Sequence, residues 1–304
     1  MIGERIRLAR RARGLTMREL GELAGVTHAA IGKMESGRSV PTGEHLYAIA
    51  EATGRRPEFF RRPARSLSAP LYRKRASLGK KRMEVIEALA TVYTEAFTDA
   101  CQATGIDLPV RVPESGRGDI EEAARVARVA LGVSADKPCA HMLAALEQAG
   151  VIVVQLQDMP DSFDGFSSFW GTRPVVVIEQ GTEGIGDRAR MTAAHELGHL
   201  VLHRNGGPEL KEADKEADQF ASAFLLPREA ISEDFSKTSL TLVGLAPLKA
   251  KWRVSIAALV MRAHSLGFIS DYGKESAFRE RSMRRWNKRE PVDIPLEMPV
   301  VFGK

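Results

Sequence analysis

Apolar residues along the first sixty positions recur at helical spacing, and glycines interrupt them at intervals. Ile6, Leu8, Ala9 and Ala12 set a first helix, which Gly14 ends. Thr16 heads a second, with Glu19 three residues on as the partner of a capping box. Gly25 turns the chain. Thr27 caps a third helix that closes at Gly37, and Pro41-Thr42 opens a fourth that stops before Gly54. Beyond Pro57 and Pro63 the stripe Met83, Ile86, Leu89, Ala90, Tyr93, Ala96 and Phe97 predicts a long core-facing helix from about residue 80. Asp119 with Glu122 predicts another helix start, and 137–150 a further helix on which His141 has no partner spacing. The period then changes. The β-branched runs VIVVQLQ (151–157) and PVVVIEQ (174–180) read as strands, as does FDGFSSFWG between them. Helical patterning returns over 187–203 and about 209–226, and again over 248–270. The pattern predicts a mostly α chain with a small sheet, of α+β class. It divides as 1–62, a linker and long helix over 63–118, a chemistry-bearing domain over 119–235, and C-terminal helices with a tail over 236–304.

The second and third helices, joined at Gly25, form a helix-turn-helix unit. Charge sharpens this picture. Residues 1–82 hold 19 Lys/Arg against 7 Glu, a balance of +12, while the remainder carries −7. A basic front on an acidic body points to a polyanionic partner. Leu20, Ala24, Val26, Ile31, Met34, Glu35, Gly37, Pro41, Leu46 and Ile49-Ala50 resemble the phage-repressor-like (Cro/cI, or XRE) family over residues 3–60. The resemblance implies binding to double-stranded DNA. Thr27, His28, Ala29 and Lys33 are expected at base edges, and Arg18 and Arg38 at phosphates. Such readers usually bind paired half-sites, so a homodimer is expected. His28 stands where many relatives carry Gln, which puts the base preference outside the resemblance.

MTAAHELGHLVLH (191–203) carries three histidines at four-residue intervals. On one helix His195 and His199 project to the same side and can share one metal ion. Glu196 is offset by about 100° and reaches the metal's open position without ligating, the H-E-x-x-H arrangement in which the glutamate is the general base. His203 lies roughly 12 Å along the axis from His195, too far for short bonds to the same ion. It is expected to end the helix or donate to a carbonyl. Asn205 stands where the metzincin pattern needs its third histidine, which excludes that class. The third ligand is expected from GGPELKEADKEADQFASAFLLP, where Glu212/Glu216 and Asp214/Asp218 form two i,i+4 pairs. Two histidines from one helix and a carboxylate from the next is the gluzincin plan.

HELGHLVLH followed by KEADQFASAFLLP resembles the ImmA/IrrE family of metallopeptidases, as do DGFSSFWGTRPVVVIEQ and the tail helices, over residues 70–290. The resemblance implies Zn2+ held by His195, His199 and Glu216. Asp218, where the family has Asn, is then an outer partner of a ligand histidine. It also implies a zinc endopeptidase that cleaves a repressor-type protein in a stress or mobile-element response. The alternative is a non-proteolytic DNA-binding repressor whose zinc domain only senses or scaffolds. No apolar run reaches the roughly 20 residues of a membrane span. The charged N-terminus has no secretory h-region, and Cys101 and Cys139 form no paired motif, so a cytoplasmic location without membrane partners is expected. A substrate strand is expected at the sheet edge near Val175–Glu179.

Overall fold

The computed structural model describes residues 2–71, 78–116, 118–160 and 162–301. Positions 72–77 and 117 of the expected linker segment lie outside the described residues. The chain forms two compact units, one of residues 1–68 and 75–105, the other of 69–74 and 106–304. The segment read as linker and long helix over 63–118 is thus shared between them.

The first unit contains α1 (Ile2–Ala12), α2 (Met17–Leu23), α3 (His28–Glu35), α4 (Gly43–Thr53), α5 (Pro57–Arg61) and α6 (Lys80–Thr104). The expected signals act as read. The Thr16 hydroxyl accepts from Glu19 N–H while Glu19 accepts from Thr16 N–H, and Thr27 and Thr42 cap α3 and α4. Ile6, Leu20, Ile31, Met34 and Ile49 meet in the core. On α6 the buried face runs through Met83, Ile86, Ala90 and Thr94, while Tyr93 is exposed. The expected stripe therefore drifts by one position. Glu95 is buried on the same side, where it accepts two bonds from the Arg5 guanidinium at 3.0 and 2.9 Å.

The second unit contains α7 (Ile120–Ala130), α8 (Met142–Gln148), β1 (Ile152–Leu156), β2 (Gly165–Trp170), β3 (Arg173–Glu179), α9 (Gly186–Leu202), α10 (Leu210–Leu225), α11 (Arg228–Ser236), α12 (Ala246–Trp252), α13 (Ile256–Ser265) and α14 (Asp271–Met283). The chain is α+β. The sheet order is β1-β3-β2, with β1 parallel and β2 antiparallel to β3. The expectation of a free edge at Val175–Glu179 is corrected: β3 is central, with both sides of its backbone already bonded. β2 is an edge of this sheet, and its Ser167 carbonyl accepts the Leu71 N–H at 3.0 Å.

α9 packs on β2 and β3, and α10 packs on α9 and α7. The core joins Val176 and Ile178 of the sheet to Leu197 and Val201 of α9 and Phe220 and Phe224 of α10. Trp252, Ile256 and Leu259 of the C-terminal helices enter the same core. Gly198 permits the close α9–α10 approach: a Cβ there would stand 3.2 Å from Ala217 Cα and 3.1 Å from the Phe220 ring. The tail then straps the unit. Gly186 N–H donates to Ile294 C=O at 2.9 Å, and Glu297 pairs with Arg190 while accepting from Leu143 N–H at 3.1 Å.

Candidate functional site

α9 and α10 place three donors around one point. His195 Nε2 and His199 Nε2 are 3.1 Å apart, and Asp214 Oδ1 is 3.9 Å from the first and 3.7 Å from the second. Three tetrahedral ligands, each about 2.0–2.1 Å from one zinc, stand roughly 3.3 Å from each other. The donor set therefore fits zinc in both spacing and type. Among the described residues this is the one His/Cys/Asp/Glu group of that compactness. A cavity of about 150 Å³ opens over the three donors, lined also by Asp164, Gly165, Thr192, Glu196 and Asp218. Gly165 is required at its rim, since a Cβ would meet Val177 C=O at 2.7 Å and the Thr192 methyl at 2.9 Å.

The structure brings together His195, Glu196, His199 and Asp218 at this cavity. Glu216 is not brought to the histidine pair. Its Oε2 lies 2.8 Å from His203 Nε2 instead. The physical reason is helix rotation: Asp214 and Asp218 share the face of α10 turned to His195, and Glu216 lies about 200° around the axis from Asp214. The sequence held the signal in the Asp214/Asp218 pair, but spacing alone did not say which pair faces α9. Glu212 is exposed on α10. His203 does close α9, its N–H bonding His199 C=O at 3.0 Å, and its side chain meets His199 and Glu216.

Residues 6–60 match the helix-turn-helix family, and residues 147–264 match the IrrE N-terminal-like domain of peptidase M78. The chain joins a helix-turn-helix domain to an IrrE N-terminal-like domain. No curated protein matches it. A solved structure of a Mycobacterium tuberculosis transcriptional regulator is 18% identical over 48% of this chain, with a TM-score of 0.35. The chain spans 47% of that protein's length. No helix among the described residues is long and apolar enough to cross a membrane.

Electrostatics separate His195 from His199 in the IrrE-like domain. Burial lowers the basicity of His195, but its hydrogen bond to Asp218 and the charges of Glu196, Asp218 and Asp214 outweigh it, so its pKa is raised. Asp218 Oδ1 lies 2.7 Å from His195 Nδ1, which leaves Nε2 toward the donors. His199 is pushed down to about 4, first by burial, then against the Asp214 bond by the neighbouring His195 and His203. Its imidazole is neutral at pH 7, the form that ligates a metal.

In the helix-turn-helix domain Thr27, His28, Ala29 and Lys33 are exposed on α3, with Arg18 and Arg38 exposed beside them. Arg18 donates to Glu22 at 2.9 Å and Arg38 to the Ser36 hydroxyl at 2.9 Å. Ile31 and Met34 face the core. The face is thus polar, projecting and backed by packed side chains, as a groove-reading helix requires.

Proposed function

We propose that this chain is a cytoplasmic DNA-binding regulator whose IrrE-like domain is a zinc endopeptidase acting on a repressor-type protein. The observation that carries the reading is the spacing of His195, His199 and Asp214 beside Glu196. When bound there, zinc supplies Lewis acidity to a scissile carbonyl and to an attacking water. His195 and His199 offer Nε2 lone pairs, and Asp214 offers the carboxylate. Glu196 lines the same cavity, takes the water's proton and returns it to the leaving amine. An extended substrate lies along β2, the sheet edge whose first residue, Gly165, borders the cavity. On DNA, Thr27, His28, Ala29 and Lys33 face bases while Arg18 and Arg38 hold phosphates, with paired half-sites met by a homodimer.

A trapping experiment tests the reading. Full-length Glu196→Gln protein keeps its zinc and retains a DNA-binding protein partner that the wild type releases in fragments. A partner recovered intact and in equal amount with both proteins overturns proteolysis.

A further inference from the structure

His203 and Glu216 take no part in the reaction described above, yet they continue directly from one of its ligands. His199 Nδ1 is 2.9 Å from His203 Nδ1, and His203 Nε2 is 2.8 Å from Glu216 Oε2. The His203 side chain is fully buried and Glu216 largely so. We propose that His203 and Glu216 form a two-step positioning relay that fixes the tautomer and ring orientation of His199. The inference rests on the metal reading of the IrrE-like domain.

Proton placement follows in one direction only. A lone pair on His199 Nε2, facing His195 and Asp214, requires the proton of that ring to sit on Nδ1. His199 Nδ1–H therefore donates to His203 Nδ1, which must be the acceptor. The His203 proton then sits on Nε2 and is donated to the Glu216 carboxylate. Reversing any link places the proton of His199 on the nitrogen that faces the donors. Glu216 thus sets His203, and His203 sets His199. His195 is served by a single step, from Nδ1 to Asp218. Outer partners of metal-bound histidines raise ligand basicity and restrict rotation, and losing one typically costs about 10–100-fold in metal affinity. The relay also explains why α9 carries a third histidine beyond reach of the metal point. That histidine holds the second ligand from behind, where bulk water cannot substitute.

The test measures zinc affinity of the full chain by competition with a chromogenic chelator, together with the visible spectrum of the cobalt-loaded protein. His203→Leu and Glu216→Ala are each expected to weaken zinc by about 10–100-fold while leaving the saturated cobalt spectrum unchanged. Because they act in series, the double variant is expected to be no weaker than the weaker single. Glu216→Ala combined with Asp218→Ala is expected to multiply, since these serve different histidines. His203→Asn, whose carboxamide oxygen can still accept from His199 Nδ1–H, is expected to bind more tightly than His203→Leu. It carries the test if the leucine variant does not fold. Unchanged affinity in the folded His203 and Glu216 variants overturns the relay and leaves the metal reading standing. An altered cobalt spectrum in Glu216→Ala, with multiplying effects of the His203 change, overturns it in favour of Glu216 as a direct ligand. A wild type that binds no zinc removes the relay and the metal reading together.

Discussion

Asp214 and Glu216 stand two positions apart on α10 and do different work. The family motif frames Glu216, but the geometry frames Asp214, with its Oδ1 3.7 Å from His199 Nε2. Motif and geometry part here because helix facing is set by the α9–α10 crossing and not by spacing within α10. The Asp214/Asp218 pair was visible as an i,i+4 pair; its orientation was not. The two roles separate by titration with zinc. Asp214→Ala is expected to lose more than the about 10–100-fold typical of an outer partner. Equal losses in Asp214→Ala and Glu216→Ala would contradict the assignment. His195, Glu196 and His199 needed no such arbitration, because three residues on one helix have their relative directions fixed by helix geometry alone.

Elements hold these residues through one close approach and one strap. Gly198 lets α10 lie against α9. In Gly198→Ala the new methyl would meet Ala217 Cα at 3.2 Å and the Phe220 ring at 3.1 Å. Helix propensity gains about 1 kcal/mol while overpacking costs about 1–3 kcal/mol. The variant is therefore expected to lose up to about 2 kcal/mol in a denaturant melt. Its zinc affinity is also expected to fall, because Asp214 and Asp218 move with Ala217. Wild-type zinc affinity in this variant would show that the α9–α10 spacing does not set the site. The C-terminal strap has a pH signature. Burial pushes the Glu147 carboxyl above the usual range, and the bonds from Val300 and Val301 N–H lower it again only in part. The folded state then binds a proton more readily than the unfolded chain, so stability present below about pH 4.3 is lost as pH rises through the raised value. Glu147→Gln is expected to lessen this loss in melting temperature measured across pH 4 to 7, and an unchanged profile would contradict it. Strands, caps and both site helices were legible because period and capping residues are local signals. The order β1-β3-β2 was not, since pairing partners lie outside any short window, so nothing in the sequence shows that Val175–Glu179 is the central strand.

Across the molecule, net charge overstates what DNA can meet. Of the basic residues in the front of the chain, Arg5 is buried against Glu95 and Arg10 against Glu35. The first pair ties the helix-turn-helix domain to α6, and the second ties α1 to α3 within it. Breaking such a buried pair from one side costs about 3–5 kcal/mol. Arg5→Ala is thus expected to unfold this domain more readily, as read by its melting transition, and a wild-type melt would contradict that role. Arg18 and Arg38 are exposed and play the other part. Arg38→Ala is expected to flatten the dependence of log affinity on log salt by about 0.9, the share of one neutralised phosphate. An unchanged slope in a DNA titration would take Arg38 out of the interface. The two domains thus use their ionisable residues oppositely, one projecting cations outward and the other gathering carboxylates and histidines around a small cavity. The central claim is that this cavity hydrolyses peptide bonds with Glu196 as base. The most direct measurement digests a library of proteome-derived peptides with zinc-loaded full-length protein and maps the new termini by mass spectrometry. Cuts made by the wild type and absent with Glu196→Gln, at equal zinc content, are the predicted result. Cuts equal in both proteins, or none from the zinc-loaded wild type, would contradict the account.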